Sequence, residues 1–234
     1  MVIINRSCLA EKISKESDHL ILIDKPADWS SFDVVKKVRN IGSFKKVGHA
    51  GTLDPFATGL LILGTGRFTK SLSQISAKEK TYFATIAFGT ETDTYDVAGT
   101  MLEENTLEMV DIHKVQDAVS EFIGETEQVP PMYSAKKVNG KRLYKLARKG
   151  ITVDREAQKI NIYQFDVVSQ DGASVNFFIR CSKGTYIRTL AHDLGIKTGY
   201  GAYLKALRRI LIDGYHVDDA ITIEEFQHFW RGQN

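Results

Sequence analysis

Nowhere does this chain hold an apolar run approaching the roughly 20 residues that a membrane-spanning helix needs. Its start, Met1-Val2-Ile3-Ile4-Asn5-Arg6, lacks the apolar core of a signal peptide, so neither spanning nor export is expected. Cysteine is scarce: Cys8 and Cys181 are the only 2 among 234 residues, and they match no paired or metal-ligand spacing. A disulfide framework and a zinc site are therefore not expected, and a reducing, cytoplasmic setting is. Two enzyme signatures are also missing. The stretch Gly64-Thr65-Gly66-Arg67-Phe68-Thr69-Lys70 looks faintly like a phosphate cradle, but the required Gly-Lys-Ser/Thr never follows four intervening residues. No serine or cysteine in a strand-to-helix turn is evident to serve as a hydrolase nucleophile beside His49 and Asp54. Internal repeats and low-complexity linkers are absent too, so one mixed α/β domain over 1–234 is the simplest architecture.

With 43% hydrophobic and 26% charged residues, the composition is that of a globular protein with a sizeable core. The net charge of +2 conceals a lopsided distribution. From Glu91 to Glu127 there are 11 acidic residues against one basic, Lys114, whereas Lys136 to Lys149 holds 7 basic residues and no acid. A basic run with Tyr144 among its charges suits a polyanion-binding surface, and it equally suits a solvated helix face.

Leu20 to Asp24 reads as a short buried strand, and Ser30, three residues before Asp33, predicts a capped helix through Arg39. Leu60 to Leu63 and Thr81 to Phe88 read as strands, which puts Tyr82 near a strand start. Ile112, Val115, Val119 and Phe122 recur at helical spacing and stop at Gly124. Pro130-Pro131 breaks regular structure, so the basic segment begins as a loop and runs into a short helix carrying Leu143 and Leu146, closed by Gly150. Ile160, Ile162, Phe165 and Val167 fit a strand with one irregular step, and Val175 to Cys181 alternate into a second that pairs with it. Beyond Gly184, Tyr186, Leu190 and Leu194 predict one helix, Leu204 and Leu207 another, and Ile223 to Trp230 a last one.

The most informative block is Gly48-His49-Ala50-Gly51-Thr52-Leu53-Asp54-Pro55, followed by Ala57-Thr58-Gly59. It places one carboxylate in a glycine-punctuated loop that lets a bulky ligand approach the backbone. An ordinary surface turn has the same composition. Three further blocks stand with it: Lys80-Thr81-Tyr82, the segment from Pro130-Pro131-Met132-Tyr133 to Gly150, and Cys181-Ser182-Lys183-Gly184-Thr185-Tyr186-Ile187-Arg188-Thr189. Together with Asp24-Lys25-Pro26, Thr92-Asp93-Thr94, Asp96 and Leu207-Arg208-Arg209, they closely resemble the TruB family of tRNA pseudouridine synthases over nearly the whole chain.

The resemblance implies a pseudouridine-synthase fold, a mixed, largely antiparallel sheet flanked by helices. The implied activity is cofactor-free isomerisation of uridine 55 in the TΨC loop of tRNA. Asp54 matches the family's catalytic aspartate, Arg188 the arginine that pairs with it, and Tyr82 the tyrosine that stacks on the extruded base. Tyr186 and Leu207 match further pocket residues, though each alone reads as a core side chain. His49 matches a histidine inserted where bases have been displaced. Lys70, Lys136, Lys137, Lys141, Arg142, Arg208 and Arg209 are expected as phosphate contacts, and 130–150 as a thumb-like insertion that closes on RNA. Only about two dozen residues follow Arg209, so the carboxy-terminal PUA domain of many bacterial members is not expected. A cytoplasmic monomer with tRNA as its partner, needing no metal, membrane or protein partner, completes the expectation. The alternatives are a non-catalytic tRNA chaperone and a synthase acting on another uridine.

Overall fold

The computed structural model describes residues 2–104, 107–134, 136–138 and 140–233, with the backbone alone at Glu103, Glu104 and Lys137. In chain order the first elements are β1 (Val2–Ile4), β2 (His19–Lys25), α1 (Ser31–Gly42), β3 (Val47–His49), β4 (Thr58–Thr65), α2 (Leu72–Ser76) and β5 (Lys80–Phe88). Next come β6 (Thr90–Thr92), β7 (Met101–Glu104), α3 (Ile112–Ser120), β8 (Gly124–Gln128), β9 (Lys137–Val138), β10 (Lys141–Arg142) and α4 (Leu143–Ala147). The chain continues through β11 (Gln158–Asp171), β12 (Ser174–Cys181), α5 (Ile187–Thr198), β13 (Ala202–Ile212), β14 (Tyr215–His216) and α6 (Ile223–Arg231). The result is a mixed α/β fold in which most strand pairs are antiparallel, β1 with β2 and β4 with β13 being parallel.

Contacts divide the chain into two compact units, Met1–Tyr82 with Leu207–Asn234, and Phe83–Ala206. Both crossings between them fall inside strands, in β5 and in β13. No linker composition marks either point, which is why the sequence alone suggests a single domain.

In the first unit, β2 pairs antiparallel with β4, setting Ile21 opposite Leu63 and Ile23 opposite Leu61. Strand side chains alternate between faces, so these two continuous apolar runs feed two cores rather than one. On one side Ile21, Ile23, Leu61 and Leu63 pack with Val34, Val35 and Val38 of α1 and Phe226, Phe229 and Trp230 of α6. On the other, Leu20, Leu22, Leu60 and Ile62 pack with Leu72 of α2 and with Val217 and Ala220. Helix α1 starts where a capping box requires it: the Ser30 hydroxyl accepts from the Asp33 amide and the Asp33 carboxylate accepts from the Ser30 amide. At Gly59, φ is +101° and a Cβ would lie 2.3 Å from the Arg209 carbonyl oxygen. Only glycine lets β4 and β13 approach this closely.

In the second unit, β12, β11 and β8 are neighbours in that order. β11 faces β12 with Ile162 opposite Cys181, Phe165 opposite Ile179 and Val167 opposite Phe177, and its register shifts between Ile162 and Gln164. That bulge is the irregular step legible in the sequence. Helix α3 buries Val115, Ala118 and Val119. One expected element is corrected: Leu204 and Leu207 lie on strand β13, not on a helix. They are three apart yet both buried because Lys205 and Ala206 are successively exposed, which breaks the strand's alternation and imitates a helical spacing.

Candidate active site

The loop between β3 and β4 carries Asp54, and three side chains from three elements of the first unit grip its backbone. From α1, the Ser31 hydroxyl accepts from the Leu53 amide at 2.9 Å and donates to the Leu53 carbonyl at 3.1 Å. From the end of β2, the Lys25 ammonium donates to the carbonyls of Trp29 at 2.6 Å, Pro26 at 2.7 Å and Pro55 at 3.0 Å. From β13, Arg209 donates through Nε to the Leu60 carbonyl at 2.8 Å, through Nη2 to Gly51 at 3.2 Å and through Nη1 to Thr52 at 3.5 Å. The loop also closes on itself, the Ala57 amide donating to the Asp54 carbonyl at 3.2 Å. A partly exposed carboxylate therefore sits on backbone fixed on both sides. Such fixing is what a nucleophile or a base needs to meet its target without reorganisation.

Lys25 is 0% exposed and Arg209 1% exposed. Burial pulls Lys25 down to about 8, a fall that the carboxylates of Asp28 and Asp54 partly oppose. Burial also lowers Arg209, against a smaller opposing effect of the Tyr82 side chain. Arg209 thus lies beside Tyr82 on β5 while it holds the turn that carries Asp54. It was expected among the phosphate contacts, and its burial corrects that reading: no phosphate reaches a buried guanidinium already spent on three carbonyls. Arg208 points the other way. Its guanidinium forks onto Asp24 at 2.7 and 3.0 Å and reaches the Thr58 hydroxyl at 3.4 Å. Lys70 is exposed. Leu207 is 7% exposed. His49 ends β3 opposite Leu63, and burial lowers its imidazole so that the neutral form is favoured, against a smaller opposing effect of the Gly51 backbone.

Lys25 gives a measurable pH signature. Its proton leaves near pH 8 in the folded chain and near 10.5 in the unfolded one, so between those values the unfolded chain binds more protons and stability rises with pH. Denaturant unfolding of wild type and Lys25→Met at pH 8 and pH 10.5 should show wild type gaining on the order of 2–3 kcal/mol relative to the variant. An unchanged difference would remove Lys25 as the titrating group.

The second unit organises Arg188, the second residue of α5, around a partner that sequence reasoning did not name. Arg188 Nη1 lies 3.2 Å from the Asp96 carboxylate, with both side chains almost fully buried. Its Nη2 donates to the Tyr133 carbonyl at 2.9 Å and its Nη1 to that of Thr94 at 3.5 Å. Asp96 is itself fixed, accepting from the Thr94 hydroxyl at 2.7 Å and the Ala98 amide at 3.0 Å. Between them Tyr95 takes φ of +64°, and its ring stacks on His192 with centroids 3.9 Å apart. Tyr186 precedes α5, and Gln128 grips its backbone, accepting from its amide at 2.8 Å and donating to its carbonyl at 3.0 Å. In the basic segment, β9 and β10 form a small hairpin leading into α4, with Lys141 and Arg142 exposed. Lys136 reaches the Gln158 amide oxygen at 3.5 Å, while the Lys137 side chain lies outside the described residues. Among the described residues there is no cluster of histidine, cysteine or carboxylate able to hold a metal.

Comparison with known proteins gives one consistent answer. Residues 39–187 match the family model of the TruB family pseudouridylate synthase N-terminal domain, and residues 188–234 that of the tRNA pseudouridylate synthase B C-terminal domain. The chain is 46% identical to tRNA pseudouridine synthase B of Chlorobaculum tepidum, over 91% of this chain and 90% of the relative. It is 45% identical to the protein of the same name in Endomicrobium trichonymphae, over 89% and 90%. Among solved structures, a chain of a Cbf5-Nop10-Gar1 complex superposes with a TM-score of 0.70 at 28% identity, covering 91% of this chain and 55% of that one. The chain thus spans about half of that structural neighbour.

Proposed function

This chain belongs to the TruB family of pseudouridylate synthases, and on that premise we propose that it converts uridine 55 in the TΨC loop of tRNA to pseudouridine. The observation that carries the reading is the Asp54 loop, held by Lys25, Ser31 and Arg209, with Tyr82 beside the same arginine. The reaction breaks the bond from ribose C1′ to base N1 and makes one from C1′ to C5. The C5 proton leaves and N1 gains one, so no atom is added and no redox partner is needed. One rigidly placed carboxylate suffices, attacking C1′ or C6 or taking a proton.

A uridine in a folded loop must first be extruded, at a cost of a few kcal/mol. Stacking on an aromatic such as Tyr82 returns roughly 1–3 kcal/mol. In this reading Arg188, oriented by Asp96, takes the role of the arginine that pairs with the catalytic aspartate in the family. His49 fills the space the base leaves, and Tyr186 and Leu207 each take the pocket-residue role that the resemblance gives them. Lys70, Lys136, Lys141 and Arg142 meet phosphates, with 130–150 as a closing thumb in a single catalytic domain. Arg208 meets phosphate only through the donors Asp24 leaves over. Pseudouridine mapping on an unmodified tRNA transcript tests the proposal. Conversion confined to uridine 55 is expected, conversion elsewhere would overturn the substrate, and tight binding without conversion would favour a tRNA chaperone.

A further inference from the structure

The exposed side of α1 carries an assembly that the uridine chemistry does not use. Asp33, Lys36, Lys37 and Asn40 recur at the three- and four-residue spacing that places side chains on one helical stripe. With Asp28 and Trp29 from the preceding turn they line an open groove of about 340 Å³, near the lower end of small-ligand sites. Trp29 is half-buried and packs against the core beneath, which leaves it as a fixed aromatic wall. Asp28 takes φ of +64°, a left-handed conformation that aspartate and asparagine tolerate better than other side chains. The Asp33 carboxylate is spent on the helix cap, 2.6 Å from the Ser30 hydroxyl and 3.0 Å from the Ser30 amide. From Lys36 to Lys46 there are 5 basic residues and no acid, all 5 exposed.

An aromatic wall, carboxylate and amide groups, and ammonium groups beside a run of unopposed positive charge complement RNA. They supply a stacking plane, partners for a base edge, and phosphate contacts. We infer that this groove is a second RNA subsite, in which an unpaired base stacks on Trp29, Asp28 and Asn40 meet its polar edge, and Lys36 and Lys37 hold the flanking phosphates. The inference rests on the proposal that the substrate is tRNA and adds a contact apart from the Asp54 loop. The two are mechanically joined, because the Trp29 carbonyl takes one of the Lys25 hydrogen bonds and the Pro55 carbonyl another.

Trp29 and Trp230 are the chain's 2 tryptophans, and Trp230 is 5% exposed. Titration with unmodified tRNA transcript should therefore quench tryptophan emission in wild type and leave that of Trp29→Phe unchanged. In Lys36→Gln/Lys37→Gln, tRNA affinity at low salt should fall roughly tenfold. The slope of log affinity against log salt should flatten by about 1.4 to 1.8, two phosphate contacts' worth, with an unchanged melting temperature. A double variant equal to wild type in affinity and slope, or emission indifferent to RNA that wild type binds and converts, would overturn the subsite. A wild type that neither binds nor converts the transcript would overturn the tRNA reading and the subsite together, a pattern distinct from either of those.

Discussion

Asp54→Asn should abolish pseudouridine formation, lowering turnover on tRNA by on the order of 10⁴-fold or more, while tRNA affinity stays within about threefold of wild type. The substitution keeps the size of the side chain and removes only its charge and its nucleophilic oxygen pair. Loss of a nucleophile produces effects of this size, whereas loss of one binding contact does not. Single-turnover conversion at saturating enzyme, measured beside equilibrium binding, separates the two. A variant that keeps a tenth of wild-type turnover would exclude Asp54 as the nucleophile and leave it a turn residue. A subsidiary effect follows from the loop's electrostatics. Because the Asp54 carboxylate helps to hold the Lys25 proton, removing its charge should lower the Lys25 titration further below its value of about 8.

What the sequence makes legible here follows from local rules, and what it hides depends on partners far along the chain. The Asp54 loop stands out because glycine, aspartate and proline report backbone geometry directly. The α1 cap is equally local, as is the bulge in β11, where the spacing of Ile162 and Phe165 already betrays an extra residue. The Arg188–Asp96 pair joins residues more than 90 positions apart, and no spacing rule links them. Lys25 reads as a charged residue beside a proline, yet it is fully buried because three carbonyls of two turns converge on its ammonium. Leu204 and Leu207 mislead because a strand that exposes two residues in succession produces a helical interval. Arg208 and Arg209 show the limit most sharply. Adjacent arginines look interchangeable on paper, but on a strand they face opposite ways, one toward Asp24 and the other into the interior.

That difference sets the second large effect. Arg209→Met should destabilise the fold by about 3–5 kcal/mol, because the carbonyls of Leu60, Gly51 and Thr52 lose a buried donor together. In thermal unfolding this corresponds to a fall of roughly 6–15 °C for a chain of this size. Arg209→Lys keeps the charge but not the planar fork, so one ammonium cannot serve Leu60 and the Gly51 turn at once. It should fold with a smaller stability loss and still turn over roughly 100-fold more slowly, because the turn bearing Asp54 is no longer held in register. A phosphate-contacting arginine would behave in the opposite manner: its replacement would leave melting unchanged, flatten the salt dependence of tRNA binding by about one contact, and spare single-turnover conversion at saturating enzyme. Melting, salt slope and single-turnover rate measured on Arg209→Lys therefore decide between a clamp on the catalytic loop and a contact to RNA, and the burial of Arg209 commits the expectation to the clamp.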